Sequence, residues 1–562
     1  MQSLRLPIKA SLLTVRPDLV AGLTVAMVVL PQSMAYAAIA GVNPIYGIFS
    51  AIVPTIVGAL FGSSHLLITG PTNATALVIF SVLAGISGDP ARYLELVFAL
   101  AVLSGAIKLG LGLLRLGSIV RYISNSVLTG FLAAAGILIT VDQFGNLFGL
   151  KLPKNEGPFV IMAETLRNIS QINGSVVVTA LVGILTMLVI RKINKKVPAA
   201  LLAIGIAGLL VQLTGWHEQG VRLVSDLGLP QQANIVFHIP NAPLQDWLDL
   251  LPAAGAVALF SLVEAMSITR AVSLSSGQKF NASREFIGQG LASLIGGLTQ
   301  CIPSSGSPSR SAVNLNAGAK TRLAAASSGG FVWLTLVLFA PFIGYIPVPG
   351  LAAVVVVSAM GLIDRKHIIL TWNIRSFSRM VMAATFIATL LIPLHYAIYL
   401  GVVLSIVIFL FESSQLHLNY LVFNEKGRAL EKPLDVLYAT RPQVAVISVE
   451  GSLYFGAVGD LEKAILRCQE AGVVVLILRL RQMHMLGSTG ITALHWAIAA
   501  SKKKGMRIIL SGVTAQARSV LDAGGITPLI GEENVYASTE TLFDATLQAI
   551  EKAKTIAAGP QS

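Results

Sequence analysis

Ser305-Gly306-Ser307-Pro308-Ser309-Arg310-Ser311 is a run of hydroxyls around one arginine, set in an otherwise apolar part of the chain. Proline suits the first turn of a helix, where its missing N–H costs nothing. A helix starting at Pro308 would aim unpaired N–H groups and its positive dipole end at whatever lies before it, which makes an anion site. Ser309 and Ser311 would add hydroxyl donors and Arg310 a fixed positive charge. The alternative is a Ser/Gly-rich loop with a snorkelling arginine. Gly70-Pro71-Thr72-Asn73-Ala74-Thr75 is a second stretch of this kind. Thr72 and Asn73 open its helix, and two half-helices meeting head to head would frame one anion between them. The alternative there is a single proline-kinked helix.

Three further positions qualify. Glu264 is the one acid between Ala253 and Ile268. A carboxyl in such surroundings is expensive unless it is paired, hydrated or protonated. It reads as a proton-coupling group or as half of a static ion pair with Arg310. Gln32 and Tyr36 are four residues apart and share one helical face. They line a cavity or pack between helices. Asp142 and Gln143 read as interfacial caps. Other chemistries fail on spacing. Gly318-Ala319-Lys320-Thr321 looks like the end of a phosphate loop, but Val313 stands where the earlier glycine is required. No GxSxG, HExxH or CxxC occurs, the histidines are scattered, and Cys301 and Cys468 are the only cysteines. No enzyme activity, cofactor or metal site is expected.

The elements that must hold these residues are membrane spans. Of 562 residues, 54% are hydrophobic and only 12% are charged, with a mean hydropathy of +0.75. Soluble chains carry about 25% charged residues, so a polytopic membrane protein is the default. The net charge of +13 does not indicate nucleic acid. Residues 1–415 hold 25 basic and 14 acidic residues, and the remaining 147 hold 15 and 13. The excess lies on the apolar part, where positive-inside topology explains it.

Fourteen apolar runs lie between residues 19 and 412. The third (72–87) and tenth (308–319) are short, so each is third in its half of a seven-plus-seven arrangement. Odd-numbered halves invert the second repeat, and paired interrupted helices in inverted repeats mark a transporter's binding site. The N-terminal stretch with Arg5, Lys9 and Arg16 reads as a cytoplasmic start. Inner loops then carry Arg115/Arg121, Arg191/Lys192/Lys195/Lys196, Lys279/Arg284, Lys320/Arg322 and Arg365/Lys366/Arg375/Arg379. Outer loops carry fewer basic residues: Arg92, Lys151, Lys154, Arg167 and Arg222. Both termini are therefore expected inside. Residues 1–415 are expected to form the membrane domain and 416–440 a polar linker. Alternating strands and helices over 441–552 indicate a soluble α/β domain, and 553–562 a flexible tail.

Several of these segments resemble the sulfate permease (SulP) family. They are Leu30-Pro31-Gln32-Ser33-Met34-Ala35-Tyr36-Ala37, Gly47-Ile48-Phe49-Ser50-Ala51, Phe61-Gly62-Ser63-Ser64, Gly70-Pro71 and Ser309-Arg310-Ser311-Ala312-Val313-Asn314. The tail is similar to that family's STAS domain. The resemblance implies a fourteen-span α-helical fold of 7+7 inverted repeats with core and gate subdomains, plus a cytoplasmic α/β STAS domain. It implies elevator-like alternating access by a homodimer, with an anion held between the third and tenth segments and lined by the first and eighth spans. Proton-symporting relatives carry a glutamate in the eighth span that matches Glu264. Leu486-Gly487-Ser488-Thr489-Gly490 resembles the STAS Asp-Ser-Ser-Gly loop, with Gly487 in place of the aspartate. Thr489 then falls at the phosphorylatable position, or serves as a plain helix cap.

Together these imply secondary active transport of an inorganic oxyanion in a bacterial plasma membrane, with sulfate as substrate and a proton as coupling ion. The alternatives are sodium-coupled bicarbonate transport, an uncoupled anion carrier, and an anion sensor that signals to a cytoplasmic partner through the STAS domain.

Overall fold

A computed structural model describes residues 12–83, 89–118, 124–153, 157–194, 197–227, 234–374, 377–424, 428–453 and 456–558. Arg5, Lys9, Arg121, Lys154, Lys195, Lys196 and Arg375 lie outside the described residues. The chain divides into two compact units, 1–406 and 407–562.

Fourteen described helices make up the spans of the first unit. They are α1 (Leu12–Ile39), α2 (Pro44–Phe61), α3 (Asn73–Leu83), α4 (Pro90–Leu113), α5 (Asn125–Asp142), α6 (Gly174–Ile193) and α7 (Ala199–Thr214). The second half supplies α8 (Leu251–Ser276), α9 (Ala282–Gly297), α10 (Pro308–Asn316), α11 (Leu323–Ile343), α12 (Val348–Met360), α13 (Phe377–Leu391) and α14 (Leu394–Ser414). Their bounds follow the apolar runs to within a few residues. An α-helix rises about 1.5 Å per residue against a hydrocarbon core of about 30 Å, so α3 and α10 reach only part of the way across. Each is preceded by a two-residue strand, β1 (Thr69–Gly70) and β2 (Ser305–Gly306). The strands pair antiparallel, Thr69 with Gly306 and Gly70 with Ser305. A backbone crossing inside a bilayer is tolerated only where its polar groups are met by protein. Here each strand satisfies the other, and the four strand residues are buried.

The spans fall into two packed groups. In the core, α4 lies against α9 and α8, α1 against α11, α3 and α10, and α2 against α9 and α11. Gly105 and Gly290 lie where α4 and α9 touch backbone to backbone, and a side chain at either would collide with the other helix. In the gate, α5 packs on α13 and α12, and α6 on α7 and α12. Helix α1 faces α7 and α12 across the two groups.

The second unit is a seven-stranded mixed sheet with helices. The strands are β3 (His417–Phe423), β4 (Ala429–Lys432), β5 (Val444–Leu453), β6 (Val475–Arg479), β7 (Met483–Leu486), β8 (Arg507–Val513) and β9 (Val535–Ala537). Their order is β4-β3-β5-β6-β8-β9, with β7 beside an extension of β5. β5, β6 and β8 are parallel and read as near-continuous apolar runs, as strands covered on both faces do. Residues 416–440 differ from the expected polar linker: they carry β3, β4 and the helix α15 (Leu434–Thr440). Both strands are antiparallel, and β4 is an edge whose mostly exposed residues hid the signal. The expected boundary of the tail at residue 553 also falls inside a helix. The last described helix, Asp544–Ala557, continues past residue 552, and Ala549 and Ala553 are packed in the core beneath the sheet. Cys468 is buried, which pushes its thiol up to about 12 and keeps it protonated.

Candidate functional site

Helix α10 begins at Pro308 as expected, with Ser307 before it in extended geometry. The Ser307 side chain does not cap the helix. Its backbone N–H is spent on the Ile68 carbonyl, so it belongs to the crossing strands. The first turn of α10 is therefore open, and Pro308 and Ser309 are exposed to a cavity of about 440 Å³. Gln32 and Tyr36 of α1, Thr72 and Asn73 at the start of α3, and Glu264 of α8 line the same cavity. Six of the residues expected at the site, Ser309 among them, thus meet in one space.

The start of α3 is built differently. Thr72 and Thr75 cap each other: the Thr72 N–H donates to Thr75 Oγ1 at 3.2 Å and the Thr75 N–H to Thr72 Oγ1 at 3.3 Å. This reciprocal arrangement follows the logic of a capping box. The Thr72 hydroxyl also reaches Glu264 Oε2 at 3.4 Å. Asn73 Oδ1 accepts from the Ala74 N–H at 3.1 Å.

Glu264 is only 5% exposed and receives the Ser305 hydroxyl at 2.6 Å. It forms no ion pair with Arg310, so the static-pair alternative is not what the structure contains. Arg310 is fully buried and donates from Nη2 to the Pro71 carbonyl. Its Nε and Nη1 have no partner. A Cβ on Gly70 would stand 2.7 Å from Nη1, so the guanidinium packs directly against the bare backbone of the strand. Arg310 thus lies behind the crossing rather than in the cavity wall. Ser311 also differs from expectation. Its hydroxyl accepts from the Ile68 N–H at 2.9 Å, since the fourth position of the helix turns toward the residue before β1 and away from the cavity.

The far wall comes from the gate: Arg191 of α6, Ala199 and Ala200 of α7, and Ser358 of α12. Ser358 Oγ and Gln32 Oε1 are buried without partners, leaving hydrogen-bonding capacity around the cavity unused. Arg191 was read only as a loop charge, and Ser358 sits inside an apolar run that gave no signal. Asp142 and Gln143 line a separate cavity of about 570 Å³ with Arg222 and Lys151. The phosphate-loop lookalike is explained internally: the N–H groups of Lys320 and Thr321 and the Thr321 hydroxyl all donate to Asp18. In the second unit Thr489 is exposed in the first turn of Ser488–Lys503, and the capping position is Gly487, so Thr489 is not the cap.

Two short helices opposed across paired strands, in matching places of two inverted seven-span halves, define a membrane transporter of the inverted-repeat class. Residues 15–385 match the sulfate permease family and residues 436–542 match the STAS domain. The chain belongs to the sulfate permease family, whose members are transporters and not enzymes. A relative in Arabidopsis thaliana, "Sulfate transporter 4.1, chloroplastic", is 27% identical over 95% of this chain and 80% of its own length. The inward-facing murine anion transporter Slc26a9 superposes with a TM-score of 0.84 at 19% identity, covering 98% of this chain and 92% of that one. The transmembrane domain of the cyanobacterial bicarbonate transporter BicA gives 0.62 at 19% identity over 70% of this chain and 98% of its own.

Proposed function

We propose that this chain imports sulfate together with a proton, by elevator-like movement of the core against the gate. The observation that carries the reading is the open first turn of α10 and Glu264 in one cavity. The α10 N–H groups and the Ser309 hydroxyl would hold the oxyanion, with Gln32 completing its shell, while Thr72 lines the cavity with its hydroxyl engaged by Thr75 and Glu264. Arg310 supplies positive charge from behind the crossing. Glu264 faces the cavity and is not locked to a cation, so it is free to take up and release a proton. A proton travelling with the anion offsets its charge, and a negative membrane potential then opposes entry less. The names of the curated relatives favour sulfate. The half-helices belong to the core, while Arg191 and Ser358 belong to the gate, so sliding one group on the other would open the cavity to alternate sides. On this reading the protein works in a bacterial plasma membrane as a homodimer with both termini cytoplasmic, and the basic loops support that orientation.

The test is labelled sulfate uptake into proteoliposomes under imposed pH gradients, with and without sodium. Acid-stimulated, sodium-independent uptake that is lost in Glu264→Gln supports the reading. Uptake that follows sodium and ignores pH contradicts it.

A further inference from the structure

Lys108 is the one charged residue between Val97 and Leu114 in α4. It is fully buried, and it is among the largest side chains with no exposure. Its Nζ donates to the Ser304 carbonyl at 2.7 Å and to Ser293 Oγ of α9 at 2.9 Å. Among the described residues no carboxylate touches it. Ser304 directly precedes Ser305, whose hydroxyl binds Glu264. One peptide unit therefore separates the lysine's contact from the acid's contact, and both lie on the strand that leads into α10. A lone buried ammonium is costly, and such groups persist in membrane spans for function.

We propose that Lys108 is the second fixed cation of the anion site and makes the site prefer doubly charged anions. This rests on the transport reading above and deepens it. With Glu264 ionised, Lys108, Arg310 and Glu264 sum to one positive charge. With Glu264 protonated they sum to two, which matches a dianion such as sulfate. All three groups sit in the core, so once Glu264 is protonated their charges move together with a bound dianion and cancel it. Without Lys108 the same loaded core would carry a surplus negative charge into the membrane interior. A unit cation acts twice as strongly on a dianion as on a monoanion at the same distance, so its removal should change their ratio by about tenfold.

The experiment measures uptake of sulfate, succinate and nitrate by full-length protein in proteoliposomes, for wild type, Lys108→Gln and Lys108→Arg. Glutamine keeps a donor for the Ser304 carbonyl and removes the charge. The expected result is wild-type preference for the dianions, a dianion-to-nitrate ratio about tenfold lower in Lys108→Gln, and a ratio kept within about threefold in Lys108→Arg. Wild-type preference for nitrate overturns the inference, as does a folded Lys108→Gln in which all three fluxes fall alike. If Lys108→Gln does not fold, wild type and Lys108→Arg still decide, because a ratio lost in the arginine variant also overturns it. A wild type that carries succinate but not sulfate contradicts the sulfate assignment alone. The Lys108 inference stands in that case if the succinate-to-nitrate ratio falls in Lys108→Gln.

Discussion

The starts of α3 and α10 occupy equivalent places in the two repeats, yet they are finished in different ways. Thr72 and Thr75 close the first turn of α3 on itself, while Ser307 leaves the first turn of α10 uncapped. The sequence suggested two equal positive ends framing one anion. The structure gives one open end and one satisfied end. Inverted symmetry thus supplies the scaffold, and the side chains at each helix start decide which half binds. Hydroxyls at α3 serve the helix and Glu264, whereas the donors at α10 remain available to a ligand.

Substitutions can break or sharpen this asymmetry. The largest effect is expected for Arg310→Met. It removes the positive charge beside α10 and strands the buried Pro71 carbonyl, at a cost of about 1–3 kcal/mol. Sulfate uptake should fall to background, and the thermal midpoint of the purified protein should drop. Ser309→Ala removes a cavity hydroxyl and keeps the N–H groups of α10, so half-saturation by sulfate should rise by about fivefold, corresponding to one hydrogen bond of about 1 kcal/mol. Thr75→Ala opens the cap of α3, with an expected stability loss of about 1 kcal/mol and less than about a twofold change in uptake. Equal losses of affinity in Ser309→Ala and Thr75→Ala would erase the distinction between the two ends. The smallest effect is expected for Thr489→Ala, whose side chain is exposed and does not cap its helix. Its uptake should equal that of wild type, and a marked change would give the STAS loop a regulatory role that its geometry does not suggest.

The spans were legible because long apolar runs and basic loops follow directly from the bilayer as solvent. The half-helix starts were legible because Gly, Pro and Ser do not belong in the middle of an ordinary span. Gln32, Tyr36, Thr72, Asn73, Glu264 and Ser309 could be gathered for the same reason. The direction of a side chain was not legible. Ser309 and Ser311 look alike in sequence, but two positions along a helix turn about 200°, so one meets the cavity and the other meets the residue before β1. Lys108 carried a signal, a single charge inside a span, but its partners lie on α9 and before β2, far away in sequence. Ser358 and Arg191 join the site only through packing of the gate. β4 was hidden because an edge strand holds many exposed residues, and β3 because His417 and Asn419 interrupt its apolar run.

The central claim is that the oxyanion and the proton use neighbouring but separable groups, α10 for the anion and Glu264 for the proton. Sulfate–sulfate exchange and proton-driven sulfate accumulation, measured side by side in Glu264→Gln proteoliposomes, test it most directly. The account predicts that exchange at equal pH persists while accumulation against a gradient is lost. Accumulation that survives the substitution, still driven by a pH gradient, would contradict it.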